Sequence, residues 1–260
     1  MVLMTKRHQM CKWLILQETQ IMAEDEIAKH TKKIYKTWGA KELGFWHKLK
    51  EILVEIFIII FAVTVSIWFH NRSEHNHQQE DVKVFMLGLQ KDLTADIAEM
   101  QEDKRSYEMQ QAAFTYIKHT KLGENLNSDS VAYYSNWIYN TTALNPNNGR
   151  FEGFKSSGKL GFIENDSLQN DILDLYQENI PSLLSSTSNY ISHKNILFQY
   201  LQKTLHRTTD STDNLATILN TEEAHNISNV LSFTNEILDR YNATINKMKK
   251  ITAEIEEEYQ

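Results

Sequence analysis

The densest run of metal-ligating side chains in this sequence is His70-Asn-Arg-Ser-Glu74-His75-Asn-His77. On a helix, His70, Glu74 and His77 stand at i, i+4 and i+7 and share a face, which would offer a divalent ion two imidazoles and a carboxylate. The same residue types also suit a wet juxtamembrane helix, where histidine serves without a ligand. Nucleophilic chemistry has less to draw on. There is no Gly-x-Ser-x-Gly elbow, and the single cysteine, Cys11, precedes the most apolar stretch of the chain. Carboxylates are abundant on helix faces, but no spacing marks a pair as converging on a cleft. Neither Gly149 to Gly153 nor Gly158 to Gly161 has the spacing of a phosphate cradle. The chain is therefore expected not to be an enzyme, with no catalytic residue and no cofactor. Five Asn-x-Ser/Thr sequons, at Asn71, Asn140, Asn165, Asn226 and Asn242, would matter only in a eukaryotic secretory setting and read as chance in an Asn-rich chain.

One cassette stands out, Gly149-Arg-Phe-Glu-Gly-Phe-Lys-Ser-Ser-Gly-Lys-Leu-Gly-Phe-Ile163, which holds four of the eight glycines and three of the eleven phenylalanines. Aromatics at helical spacing usually belong to a core. Phe151, Phe154, Leu160 and Phe162 are expected to plug a helical bundle, with Gly158 in a turn of positive φ and Lys155 and Lys159 facing solvent. The competing reading is a ligand site.

Two prolines and eight glycines in 260 residues leave little for turns, which argues against sandwiches, barrels and glycine-looped nucleotide folds. Long helices are the default. One cysteine excludes an intramolecular disulfide framework and a multi-cysteine zinc site. With 41% hydrophobic residues the chain can bury a core, so wholesale disorder is excluded as well.

Ile52 to Phe69 is apolar except at Glu55, Thr64 and Ser66. As a helix its eighteen residues rise about 27 Å, close to the roughly 30 Å of a bilayer's hydrocarbon core. Ile56 to Val63 is apolar all round, unlike a core helix with one polar face. Trp46 and Trp68 lie near the ends, where indoles favour headgroups. Glu55, one turn from the basic end, can snorkel or pair with a lysine. The run begins too far into the chain, and ends in too bulky a sequence, for a cleaved signal peptide. Residues 1–50 carry ten Lys and Arg against five Asp and Glu, whereas residues 71–260 carry seventeen against twenty-seven. Lys32, Lys33, Lys36, Lys41, Lys48 and Lys50 precede the span, and only Arg72 and Lys83 follow it closely, so the positive-inside rule places the N-terminus in the cytoplasm. The acidic C-terminal part would repel phosphates, which disfavours nucleic acid as a partner.

Residues 1–21 lack the patterning seen beyond them, and Met22 makes a more natural start. Gly39 and Gly44 bracket a short joint. After the span, Met86, Leu93, Met100, Tyr107 and Phe114 recur every seven residues in one long amphipathic helix that extends the membrane helix through His70 to Glu80. Its companion positions Asp96, Asp103 and Gln110 are polar, which speaks for bundle packing over a coiled-coil seam. Lys121 to Gly123 is the expected stop. Further helices are expected over Val131 to Tyr139, from Phe151 towards Ser157, and from an Asn165-Asp-Ser cap through Leu168, Ile172, Leu175, Tyr176 and Ile180. Pro181 is expected to kink or divide that last helix before Leu183 to Leu205. Thr208 to Ser211 reads as a polar break and Asn226 to Ser232 as the lead-in to a final helix carrying Ile237, Tyr241, Ile245, Met248, Ile251, Ile255 and Tyr259.

Two segments together resemble a family of single-span membrane proteins from Bacteroidota defined as a domain of unknown function. The first is Glu51 to Glu74, with its Glu-Ile opening, aliphatic span and polar exit, followed by Leu89-Gln-Lys-Asp-Leu93. The second is Phe154-Lys-Ser-Ser-Gly-Lys-Leu-Gly-Phe-Ile163 ahead of Asp171-Ile-Leu-Asp-Leu-Tyr176. The likeness covers about residues 45–180 and departs from the family in Phe69-His70 at the exit and in the long N-terminal extension. It implies a bacterial inner-membrane protein and transfers no catalytic residue. The expected architecture is all-α: a basic cytoplasmic segment over 1–50, a transmembrane helix over 51–70, and a periplasmic antiparallel helical bundle over 71–260. The expected role is a membrane-anchored interaction or scaffold module, or alternatively a ligand-sensing ectodomain acting through a partner protein. Its partners would be the lipid bilayer and another envelope protein or a second copy of itself.

Overall fold

The computed structural model describes residues 28–36, 45–124, 126–206 and 213–259. The expectations for residues 1–21, the Met22 start, the Gly39 to Gly44 joint and the Thr208 to Ser211 break lie outside them. Among the described residues the chain is helix, turn and connecting segment, with no strand. It divides into two units, residues 1–79 and 80–260. Helix α1 covers 28–36, and α2 runs from Phe45 to His119 without a break, contributing to both units.

In the first unit α2 carries the apolar run. Its most apolar 18-residue window is only 11% buried, and Leu53, Phe57, Ile60, Phe61, Ile67 and Trp68 all point outward. A core helix in a soluble protein would hide such residues. This helix is long and apolar enough to cross a membrane. Glu55 is the exception to the outward rule, being 2% exposed. Its carboxylate meets Lys33 Nζ at 2.5 Å and His30 Nδ1, both from α1. The lysine expected to satisfy Glu55 is thus supplied from 22 positions earlier.

In the second unit, α3 (Ser128–Tyr139), α4 (Gly149–Ser156), α5 (Asp166–Asp174), α6 (Ile180–Thr204), α7 (Leu215–Leu219), α8 (Glu222–Leu231) and α9 (Asn235–Tyr259) share one hydrophobic core with the later turns of α2. Asn127 accepts from Ser130 N, Asn165 from Leu168 N and Thr221 from Ala224 N, so short polar side chains cap α3, α5 and α8. The heptad stripe Met86, Leu93, Met100, Tyr107 and Phe114 is buried throughout, as is the three-and-four stripe of α9 from Ile237 to Ile255.

The aromatic cassette does plug this core, with two of the four expected side chains. Phe154 stacks on Phe85 with centroids 4.0 Å apart, and Phe151 on Tyr176 at 4.2 Å. Leu160 and Phe162 sit in a 3₁₀ turn (Lys159–Phe162) and are only partly buried, because four residues of that tight turn cannot drive both side chains inward. Lys159 pairs with Asp81 at 2.8 Å. Gly158 has φ +72°, and nothing lies within 4 Å of where a Cβ would stand. The cost of Gly158→Ala is therefore purely conformational, about 1–2 kcal/mol, and Gly158→Asn is expected to cost less because asparagine tolerates this region. Denaturant unfolding of the two variants checks the order.

Pro181 stands where its helical stretch divides into α5 and α6. One wide π turn, Leu175–Asn179, links α5 to α6, with Ile180 N donating to Leu175 O, and Pro181 sits in the first turn of α6. The wide turn relieves the clash a proline ring makes with the carbonyl four residues back. Asn226 to Ser232, expected as a lead-in, instead belongs to α8 and its C-cap, because Thr221 caps it and Glu222 and Glu223 favour its first turn.

Candidate functional site

The buried polar residues of α2 define the most organised polar feature of the second unit. Asp96, Asp103 and Gln110 recur every seven residues on the core-facing side and are 0%, 7% and 1% exposed. What brings them partners is the extended segment 140–148, which has no helix of its own to satisfy its backbone. Asp96 accepts from Asn147 N at 3.1 Å and from Asn147 Nδ2 at 2.5 Å. Asp103 accepts from the Thr142 hydroxyl and, at 3.1 Å, from Tyr241 OH. Tyr107 OH donates to Thr142 O at 2.7 Å, and Glu99 accepts from Asn145 N at 2.9 Å. The segment is thereby strapped along α2 by side chains that would otherwise be unpaired in the core.

At the end of the strap, Lys194 of α6 enters from the opposite side with no exposed surface. Its Nζ donates to Gln110 Oε1 at 2.6 Å, to Trp137 O at 2.9 Å and to Asn140 O. Trp137 lies in the last turn of α3 and Asn140 is its C-cap, so the amine caps carbonyls left without helical donors at the negative end of that helix. Three donors meet three acceptors, all of them neutral. The rings of Phe114 and Phe198 flank the amine with centroids within 6 Å, at 5.8 and 5.9 Å. Gln110 Nε2 and Asn140 Nδ2 both donate to Ser106 Oγ, which closes the network.

Burial moves the titration of these groups. It pushes the Lys194 amine down to about 7 and the Asp96 and Asp103 carboxyls up, against the hydrogen bonds that favour their ionised form. Tyr107, Tyr190 and Tyr241, packed ring to ring beside Asp103, are held above the usual phenol range by burial. The ladder's chemistry is that of a satisfied interior network. It fixes the strap and houses a buried amine.

The metal candidates fall elsewhere. His70, Glu74 and His77 are exposed on α2, and Glu74 accepts from Gln78 Nε2. Among the described residues no group of three or more His, Cys, Asp or Glu side chains is placed to hold a metal ion. A groove of about 320 Å³ between α6, α8 and α9 is lined by Ser186, His193, Val230, Phe233 and Glu236. There Ser186 Oγ contacts Glu236 and Ser182 O, while His193 Nδ1 contacts Asn189 O, so hydroxyl and imidazole are each engaged with other groups. Sequence reasoning missed Lys194, which reads only as a charge interrupting an apolar window. The available signal was the seven-residue recurrence of polar residues opposite an Asn/Thr-rich segment. Comparison of the chain with protein-family models, with characterised proteins and with solved structures finds no match.

Proposed function

We propose that this chain is a single-span, membrane-anchored interaction protein: residues 1–50 cytoplasmic, 51–70 crossing a bacterial inner membrane, and 71–260 an antiparallel helical bundle in the periplasm that binds another envelope protein or a second copy of itself and turns over no substrate. The observation that carries this reading is the outward-facing apolar run of α2, 11% buried over its most apolar window. The lysine-rich approach to that run, against only Arg72 and Lys83 close after it, supports the orientation. The two segments similar to the Bacteroidota family support the bacterial setting. Reporter fusions test the topology: a periplasm-dependent reporter is expected to be silent when fused after residue 45 and active after residue 260, and the reverse pattern would overturn the orientation.

The groove between α6, α8 and α9 favours a second reading, a ligand-sensing ectodomain that signals through a partner. Bundles commonly bind ligands between helices, and exposed Val230 and Phe233 offer apolar contact beside His193 and Glu236.

A further inference from the structure

We propose that α1 and the start of α2 form a binding surface for the headgroups of anionic phospholipids, held at the membrane boundary by the contact of Glu55 with His30 and Lys33. The proposal rests on the reading of α2 as a membrane span.

Glu55 lies one turn inside the apolar run, at the depth where hydrocarbon gives way to headgroups. A bare carboxylate there is costly, and Lys33 at 2.5 Å together with His30 compensates it. That contact fastens α1 to α2 one turn inside the apolar run. Across 28–36 the sequence is Ala-Lys-His-Thr-Lys-Lys-Ile-Tyr-Lys, four lysines and no acid. His30 and Lys33, three apart, face Glu55. Lys29, Lys32 and Lys36, spaced by three and four, form the neighbouring stripe. Lys32 and Lys36 are exposed, and so is Lys50 on α2 just before the apolar run. Tyr35 and Trp46 are 81% and 80% exposed, amphipathic rings of the type that settles at headgroup level. Ammonium groups beside interfacial aromatics match a lipid phosphate in charge and in depth. A soluble phosphate would satisfy the lysines but would give the aromatic rings no apolar surface to enter.

The test uses the full chain reconstituted into phosphatidylcholine vesicles that contain spin-labelled phosphatidylglycerol or spin-labelled phosphatidylcholine. The fraction of motionally restricted label measures which lipid the protein selects. Phosphatidylglycerol is expected to be enriched by about tenfold over phosphatidylcholine, on the basis of roughly a fivefold gain per engaged lysine offset by salt screening. The Lys32→Gln/Lys36→Gln/Lys50→Gln variant should lose that preference and the corresponding arginine variant should keep it. Glu55→Gln separates a fastened surface from simple charge: removing a negative charge alone would raise the preference, whereas releasing α1 should lower it. Equal selection of the two lipids by a chain that resists alkaline carbonate extraction would overturn the proposal and leave the span intact. Displacement of the label by inorganic phosphate would reassign the site to a soluble anion and overturn it too. Extraction of the chain by carbonate would overturn the span and the proposal together.

Discussion

Truncating Lys194 to alanine is expected to lower the unfolding free energy of the second unit by about 3–5 kcal/mol. The side chain has no exposed surface, so its loss opens a cavity and strips donors from Gln110 Oε1, Trp137 O and Asn140 O. Lys194→Met keeps the stem and removes the amine, and its diagnostic is the pH profile. In the folded chain burial brings the amine down to about 7, from 10.5 in an unfolded chain. Between those values the unfolded state binds the extra proton, so wild-type stability should rise with pH, by up to about 1.4 kcal/mol per unit. Below pH 7 both states are protonated and this slope vanishes. Above pH 10 the sign reverses, because Tyr107, Tyr190 and Tyr241 are held protonated by burial while the unfolded chain ionises. Denaturant titrations between pH 7 and pH 10 should show the rise in the wild type and a flat profile in Lys194→Met, whereas the fall above pH 10 is common to both. The same slope in both would refute the buried-amine assignment.

Phe154→Ala is expected to cost about 3–5 kcal/mol, the range for deleting a buried ring. The ring is 8% exposed and lies nearly parallel to Phe85 at 4.0 Å, so its removal strips Phe85 of its stacking partner and leaves a void between α2 and α4. In thermal unfolding this should appear as a fall in Tm of roughly 6–20 °C for a unit of this size. Lys155→Ala and Lys159→Ala should each stay within about 1 kcal/mol of the wild type. Lys155 is exposed over the Phe151 ring and Lys159 belongs to a solvent-exposed pair with Asp81. A small loss for Phe154→Ala, with loss of a stabilising ligand in the lysine variants, would instead make the cassette a binding site.

The heptad stripe of α2, the Asn165 cap, the positive φ of Gly158 and the stripe of α9 were all legible because each is local: period, cap chemistry and turn chemistry act within a few residues. Asp96, Asp103 and Gln110 were legible only as interruptions. Their partners lie 39 to 138 residues away for Asp103 and 84 for Gln110, and no periodicity announces a contact at that range. Helix α7 is five residues long and α8 ten, too short for their apolar spacing to stand out from a polar surround. The contact between Glu55 and α1 was half legible. The need for a cation was evident from the hydrocarbon around Glu55, but its source in a separate helix was not.

The π turn at Leu175–Asn179 acts as a phase shifter. Upstream, the buried apolar series runs Leu168, Ile172 and Leu175, with Asp171 buried beside it at the edge of the core; downstream the buried series runs Ile180, Leu183, Thr187, Tyr190, Lys194, Leu197 and Leu201. Each series alternates steps of three and four, but they are out of step by one residue, and the turn absorbs the surplus with both Leu175 and Tyr176 facing inward. The inward aim of Lys194 is thus fixed some fifteen residues upstream of it. Were the turn drawn into a regular α-helix with no residue removed, the inward positions would fall one residue earlier, offering the core His193 in place of Lys194 and Ile196 in place of Leu197 and exchanging the amine that closes α3 for an imidazole. The register of an entire 25-residue helix therefore hangs on a single surplus residue beside a proline.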